Sequence, residues 1–529
     1  MLIRIVLFRT GSAIDVILWR LLGHFTMLRF VLALFLLVPT PAFAAWNKAT
    51  SDHFIVYGEI DAAQLRTFVE RVEKFDATMR GVTGLKDDRS PNKLMIFVVR
   101  NITTLQQLIG PGSKNAYGFY APQITGSIAV VPKLSGTGEY DLDSETVLYH
   151  EYAHHFMLQY FAVSYPAWYI EGFAEYYSTT EFKKDGTIAV GMPAKHRFAS
   201  LVLSKPFPLN RMFAPDERKM SAEDQSSFYS YAWLLTHYLR FDPARKGQLT
   251  TYLKAFAAGT APLEAATSSF GDIKKLEQDL QKYMRGRRMS YASMSGSNLP
   301  VPTIITQPLT EADGAIMPLY MRMARGTRSA DDVASFVADA RIMATRYPSE
   351  PRALECLAEG ELDAEQYAAA SKANDALLAL RADDAPALLR RARIATARMT
   401  DTNDYTGGWK AIRGLIVKAN RALPNDPFPL IEYFRSFGRE GIEPTLVAEQ
   451  GLQRAVELAP QISQLRFTLG RWLMFKKRKD EAKIVLAPLI NDPHSPGIRE
   501  TARAILDGTK SVDDPPSTET EKAKPVKSQ

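Results

Sequence analysis

Apolar residues recur every three or four positions across 62–83, and Leu65, Phe68, Val72, Phe75 and Met79 share one face. That spacing predicts an amphipathic helix. Residues 52–57 read as a strand. In 93–99 every position after Lys93 is apolar, as in a strand covered on both faces. Residues 117–120 and 127–131, separated by 122–126, predict a hairpin at a sheet edge. Apolar Val147, Leu148, Phe156 and Met157 then recur through a helix that Asp143 or Ser144 can cap, with Glu145 in its first turn. Further helices are expected over 228–240, 249–257, 262–270 and 273–285, divided by Gly, Pro or Asp. The pattern is α+β through 45–293. Ser, Gly and Pro at 294–309 predict a linker.

From about Thr310 the composition shifts to Ala, Leu and Arg, and a repeat emerges. Leu354, Leu389, Leu430 and Leu465 follow Pro351, Pro386, Pro427 and Pro460 at intervals of 35, 41 and 35 residues. An insertion at 400–408 accounts for the longer interval. Leu319, 35 residues before Leu354, marks a degenerate first unit. Ala-rich second helices are expected at 367–380 and 480–489. The pattern over 310–507 resembles tetratricopeptide (TPR) repeats. Such units stack because no single helix pair buries its own apolar face. The resemblance implies an all-α array that either binds a peptide or partner protein or serves only as a packing module. The tail, 508–529, is poor in apolar residues and is expected to be disordered.

The amino terminus predicts export. Met27 and Arg29 precede an apolar run over 30–38, and Ala42 and Ala44 form an A-x-A cleavage site. The run is too short to span a bilayer, so no stable membrane span is expected. Residues 1–26 carry Arg4, Arg9, Asp15, Arg20 and His24. They read as a start-site overcall with the true start at Met27, or as a long charged region of the signal. Either way, cleavage near Ala44 would deliver a periplasmic or secreted protein.

Composition narrows the choice further. A chain of 529 residues is long enough for two or three domains. The net charge of +7 is spread along the chain, apart from short runs at 282–288 and 476–479. A nucleic-acid partner calls for a concentrated basic patch, so none is expected. Cys356 is the single cysteine, which excludes an internal disulfide. It lies in an apolar helical stretch and reads as a small core residue, with a reactive thiol as the alternative.

The chemistry gathers at His150-Glu151-Tyr-Ala-His154, an H-E-x-x-H motif. On a helix, positions i and i+4 share a face, so His150 and His154 can direct their imidazoles at one metal ion. Glu151 can then act as general base on a water. A catalytic zinc takes three protein ligands. Glu171, with 16 residues between it and His154, can supply the third from a second, antiparallel helix after a turn at 164–166. Glu175, one helical turn further, reads as a partner of a ligand histidine or as a solvated residue. His155 faces away from the pair and is given a structural role.

With Trp168-Tyr-Ile-Glu171-Gly-Phe-Ala-Glu175-Tyr behind the histidines, the region 45–290 resembles the gluzincin metallopeptidases, in particular their peptidase-MA-like branch. The resemblance implies an α+β gluzincin-like domain with Zn²⁺ held by His150, His154 and Glu171. It also implies hydrolysis of a peptide or protein substrate by a zinc-activated water, with Glu151 as base. The segment 229–239 is similar to the aminopeptidase-N-like stretch beginning Y-x-K-G, which assigns Tyr229 as hydrogen-bond donor to the oxyanion. Tyr231-Ala232 replaces the Lys-Gly here, so the role could fall to Tyr231. No G-x-M-E-N segment occurs, which argues against aminopeptidase activity. In gluzincins an edge strand binds the substrate backbone. That role falls to 126–131, unless the pair is an ordinary edge hairpin. The alternative for the whole protein is a catalytically inactive peptidase-like scaffold whose repeats bind a partner protein.

Overall fold

The computed structural model describes residues 46–509, apart from 87–91, 111–116, 134–142, 162, 214–219, 287, 297–298, 403–407 and 492–495. The export signal at 1–44, nearly all of the tail, and most of the 400–408 insertion lie outside the described residues. Among those described, no helix is long and apolar enough to cross a membrane.

The chain is largely helical, with a small sheet region near its amino-terminal end. It opens with β1 (Asn47–Thr50), β2 (Phe54–Gly58), α1 (Ala62–Thr83), β3 (Leu94–Val99), α2 (Ile102–Ile109), β4 (Phe119–Ala121) and β5 (Ile128–Pro132). The helices α3 (Ser144–Tyr160) and α4 (Ala167–Ser178) follow, then β6 (Glu181–Phe182), β7 (Thr187–Val190), α5 (Phe198–Leu203) and α6 (Leu209–Phe213). Next come α7 (Ala222–Phe241), α8 (Gln248–Ala257), α9 (Pro262–Phe270), α10 (Ile273–Met284), β8 (Ala292–Ser295) and β9 (Ile305–Pro308).

The main sheet runs β4-β5-β3-β2-β1-β9. Strands β2, β3 and β5 are parallel, with Val56 opposite Ile96 and Ile96 opposite Ala129. The other pairings are antiparallel, with Phe119 opposite Val130 and Asn47 opposite Pro308. Side chains alternate between the two faces. Leu94, Ile96, Val98, Ala129 and Val131 enter a core shared with α1, α3, α4 and α7. Phe97, Val99, Ile128 and Val130 enter a second core on the opposite face. Both faces being covered is why β3 is apolar without interruption.

Two expectations need correcting. The segment 294–309 is not a plain linker: its end forms β9, which pairs with β1, and Ser295 closes β8 beside β7. Its Ser, Gly and Pro content hid two four-residue strands. The candidate substrate edge at 126–131 also moves. Strand β5 lies between β4 and β3, so both its hydrogen-bonding sides are taken, and β4 is the outer strand.

The rest is an array of paired helices: α11 (Glu311–Arg325) with α12 (Ala330–Arg346), and α13 (Pro351–Asp363) with α14 (Tyr367–Leu380). It continues with α15 (Ala385–Thr402) and α16 (Gly408–Ala422), α17 (Pro427–Glu440) and α18 (Leu446–Leu458), α19 (Ser463–Phe475) and α20 (Lys479–Leu486), and ends at α21 (Pro496–Leu506). Of the four leucines that mark the repeat, Leu354, Leu389 and Leu465 are buried and Leu430 is half-buried. Cys356 is fully buried between α11, α12 and α13, and burial raises its thiol pKa, as for a core residue. The array is not separate from the sheet. Met317 and Met321 of α11 pack with Tyr57 and Phe97, and residues 46–509 belong to one compact unit.

Candidate metal centre

The site is built by two antiparallel helices whose ends the sequence sets. Asp143 caps α3 by accepting from Thr146 N at 2.6 Å, and the Ser144 hydroxyl donates to Pro132 O at 2.6 Å, tying the helix to the end of β5. The first residue of α4 follows Pro166, whose ring suits the entrance to a helix. Two glycines allow close approach. A Cβ at Gly172 would lie 2.2 Å from Thr236 Oγ1 and 2.6 Å from Ala232 O, so α7 packs backbone to backbone on α4. A Cβ at Gly118 would lie 2.3 Å from Val147 Cγ1, so the lead-in to β4 lies flat against α3.

These contacts bring His150, His154 and Glu171 together. His150 Nε2 and His154 Nε2 are 3.1 Å apart, and Glu171 Oε2 lies 3.7 Å from the first and 3.4 Å from the second. A tetrahedral ion with ligand bonds of about 2.0–2.2 Å separates its ligand atoms by about 3.3–3.6 Å. The three edges fall close to that range, and the donor set is the His₂Glu type that zinc accepts. The residues present therefore fit the ion.

Around this triangle stands a second layer. Glu175, fully buried, places Oε1 3.3 Å from His150 Nδ1. Its Oε2 accepts from His196 Nε2 at 3.0 Å and from Arg197 Nε at 3.1 Å, and Arg197 Nη2 also bonds Oε1. Burial alone would raise the Glu175 pKa, but Arg197, His150 and His196 together hold it well below the usual carboxylate range. Burial lowers the His150 pKa, but Glu175, Glu151 and Glu171 outweigh it and the net shift is upward. The carboxylates of Glu175, Glu151 and Glu171 surround His150 with negative charge. Glu175 is thus a buried partner of His150, not a solvated residue.

Glu151 is half-buried, and its charge reaches His150, Tyr120 and Tyr229. Tyr229 lies with its ring 6.4 Å from that of His150 and under the Arg197 guanidinium at 5.3 Å. Burial first, then Glu171, raises its phenol pKa well above the usual value. Tyr231 sits two positions on, on a different face of α7, and its hydroxyl accepts from Gln281 Nε2 of α10 at 2.7 Å. The geometry therefore separates the two tyrosines: Tyr229 faces the triangle and Tyr231 does not. His155 pairs through Nδ1 with Tyr120 OH of β4 at 2.9 Å, the structural role expected of it.

A second acidic and histidine cluster, His53, Glu73 and Asp76, has the same tight spacing. Its carboxylates are already satisfied. Glu73 accepts from His53 N at 3.2 Å and pairs with His53 Nδ1 at 2.7 Å, while Asp76 accepts from Tyr152 OH at 2.6 Å and from Arg80 Nε at 2.7 Å. Tyr152 belongs to α3, between His150 and His154, so this network pins the back of that helix to α1.

His196 and Arg197 were not anticipated from sequence. They sit 21 and 22 residues after Glu175, in a short 3-10 turn with no local motif, and only the fold connects them to it.

No family description and no curated protein matches the sequence. Among solved structures, the chain is similar to TTC0263, a thermophilic TPR protein of Thermus thermophilus, at 18% identity and a TM-score of 0.32, covering 37% of this chain and 98% of that one. It is also similar to a MamA RS-1 ArsTM double mutant, at 15% identity and a TM-score of 0.25, covering 38% of this chain and 98% of that one. At these identities and scores the likenesses carry no functional assignment.

Proposed function

We propose that the chain is an exported zinc-dependent metallopeptidase of the gluzincin, peptidase-MA-like kind. The observation that carries this reading is the triangle of His150 Nε2, His154 Nε2 and Glu171 Oε2, with edges of 3.1, 3.4 and 3.7 Å. When bound, zinc supplies Lewis acidity, lowering the pKa of water toward about 7 and polarising a carbonyl. The protein residues divide the remaining work. Glu175 fixes the Nδ1 side of His150, so that its Nε2 stays free as a donor. Glu151 takes the proton from water. Tyr229, kept protonated by burial, donates its hydroxyl to the oxyanion of the developing tetrahedral carbon. The outer strand β4 offers the backbone edge along which an extended substrate can add.

The second reading, an inactive scaffold that binds a partner protein through its repeats, is supported by the array of paired helices over 311–506. One substitution separates the two. Glu151→Gln is expected to leave zinc bound and to abolish cleavage of a quenched fluorescent peptide library. Cleavage at the wild-type rate would remove Glu151 from the mechanism. A wild-type chain that binds zinc but cleaves no library member would favour the scaffold.

A further inference from the structure

We infer that the carboxyl-terminal helical array is an internal brace for the metal centre, with Asn491 and Ile124 as positioning residues. This rests on the metallopeptidase reading and deepens it.

Besides the packing of α11 against the sheet, the array touches two segments that flank α3. The first is the connector 161–166, which joins the helix of His150 and His154 to the helix of Glu171 and Glu175. Ser164 lies in that connector and is buried. Asn491, in the turn after α20, donates from Nδ2 to Ser164 Oγ at 2.8 Å. Asn491 is itself fixed, because its Oδ1 accepts from Arg503 Nη2 of α21 at 2.8 Å. The end of the array therefore reaches the connector through an oriented side chain.

The second segment is the β4–β5 turn at the sheet edge. Ile124 packs into the core formed by Ile431, Leu452, Ile462 and Leu465 of the array. Gln461 Nε2 donates to Ser127 Oγ at 3.4 Å, and Gln123 Nε2 donates to Arg325 O at 3.2 Å. Nearby, Asn92 Nδ2 donates to Leu458 O at 3.0 Å. Strand β4 is short and, among the described residues, pairs on one side only. Anchoring its turn in the array adds to the contacts of Gly118 and Tyr120 with α3 that hold these three residues of edge strand.

The consequence concerns the geometry of the three ligands. Two of them stand on α3 and the third on α4, so their spacing depends on the connector. A brace on the connector sets that spacing, and a brace on the turn sets the substrate edge. Part of the array surface is therefore spent on the chain's own active-site frame.

The test uses the full-length protein and zinc affinity measured by chelator competition in Asn491→Ala, Ser164→Ala and the double variant. Each single variant is expected to weaken zinc by about 3–10-fold, with the double no weaker than the worse single, because both remove one interaction. Wild-type affinity in both single variants, or effects that multiply, would overturn the brace. Hydrogen exchange on the metal-free protein is the second measurement and does not depend on zinc. Asn491→Ala is expected to speed exchange at 161–166, and Ile124→Ser at 119–131, with the other helices unchanged. Unchanged exchange in both segments would overturn the proposal. A wild-type chain that binds no zinc would refute the metal reading, and exchange alone would then decide the brace.

Discussion

Glu175→Gln tests how the centre is held. Gln keeps the size of the side chain and one acceptor oxygen but removes the charge. That charge is complete at any working pH, because the carboxyl is held well below its usual pKa. Two effects follow, in different observables. The first is on the ion. With Oε1 at 3.3 Å from His150 Nδ1, Glu175 fixes the ring and strengthens Nε2 as a donor. Losing such an outer partner weakens metal binding by about 10–100-fold, or about 1.4–2.7 kcal/mol. The second is on the fold. Arg197 and His196 both lose their anion. Removing one member of a fully buried pair costs about 3–5 kcal/mol, but the Arg197 side chain is 26% exposed, so about 1–3 kcal/mol is expected here. Chelator competition reads the first effect and urea unfolding of the metal-free protein reads the second. A zinc Kd within about twofold of wild type would refute the argument, since Glu175 would then serve the Arg197 pair and not the metal ligand.

Three further outcomes are expected. Tyr229→Phe should lower peptide cleavage by about 100–1,000-fold with little change in zinc affinity. Tyr231→Phe should lose only its Gln281 bond, about 1 kcal/mol of stability, and keep full turnover; equal losses of turnover would overturn the assignment. Gly172→Ala should push α7 away from α4, since the new methyl meets Thr236 Oγ1 at 2.2 Å, with about 1–3 kcal/mol lost in urea unfolding and cleavage reduced as Tyr229 shifts; a wild-type midpoint would contradict the close packing. The last concerns His237, whose pKa burial lowers to about 4. Below its unfolded value of about 6.5 the unfolded chain takes up a proton that the folded chain refuses, so this stability is present above pH 6.5 and lost as pH falls toward 4. Between pH 7 and 5 the loss is about 2 kcal/mol, and His237→Gln should lessen it in urea titrations at the two pH values; an undiminished slope would rule His237 out as its source.

The candidate site was legible where chemistry is local in sequence. His150 and His154 are one helical turn apart, so that pair could be drawn from spacing, and the resemblance of the stretch around Glu171 supplied the third corner. Asp143 or Ser144 as cap resolved into a division of labour, with Asp143 capping and Ser144 tying the helix to β5. What could not be read is whatever depends on pairing across distance. Strand β1 (Asn47–Thr50) begins Asn-Lys and β9 (Ile305–Pro308) ends Gln-Pro, and neither alternates clearly. They are strands because they lie against each other, and Asn47 meets Pro308 across 260 residues of chain. Strand β5 looked like an edge because the sequence shows the hairpin but not the order of the sheet. Arg197 and His196 carry no motif, and only the return of the chain after β7 brings them to Glu175.

The same distinction bears on how the centre keeps its shape. Helix α3 carries His150, His154 and Glu151, the proposed ligands and base, and it is held from several sides by other groups. Asp76 grips Tyr152 at its back, Pro132 O receives Ser144 at its start, and Tyr120 of β4 meets His155 on its flank. Helix α4 is held by the glycine contact with α7 and by the Arg197–Glu175 pair. In the connector between them, the Ser164 hydroxyl takes its bond from Asn491, 327 residues later in the chain. A ligand set divided between two helices keeps its spacing only if the join is as constrained as the helices themselves. On this argument the array is not an appendage to a self-sufficient site. The prediction that follows is that ending the chain before α19 would loosen zinc even though all three ligands, the base and Tyr229 lie upstream of residue 230. Retention of wild-type zinc affinity in such a truncated chain, if it stays folded, would show that the connector holds its course unaided.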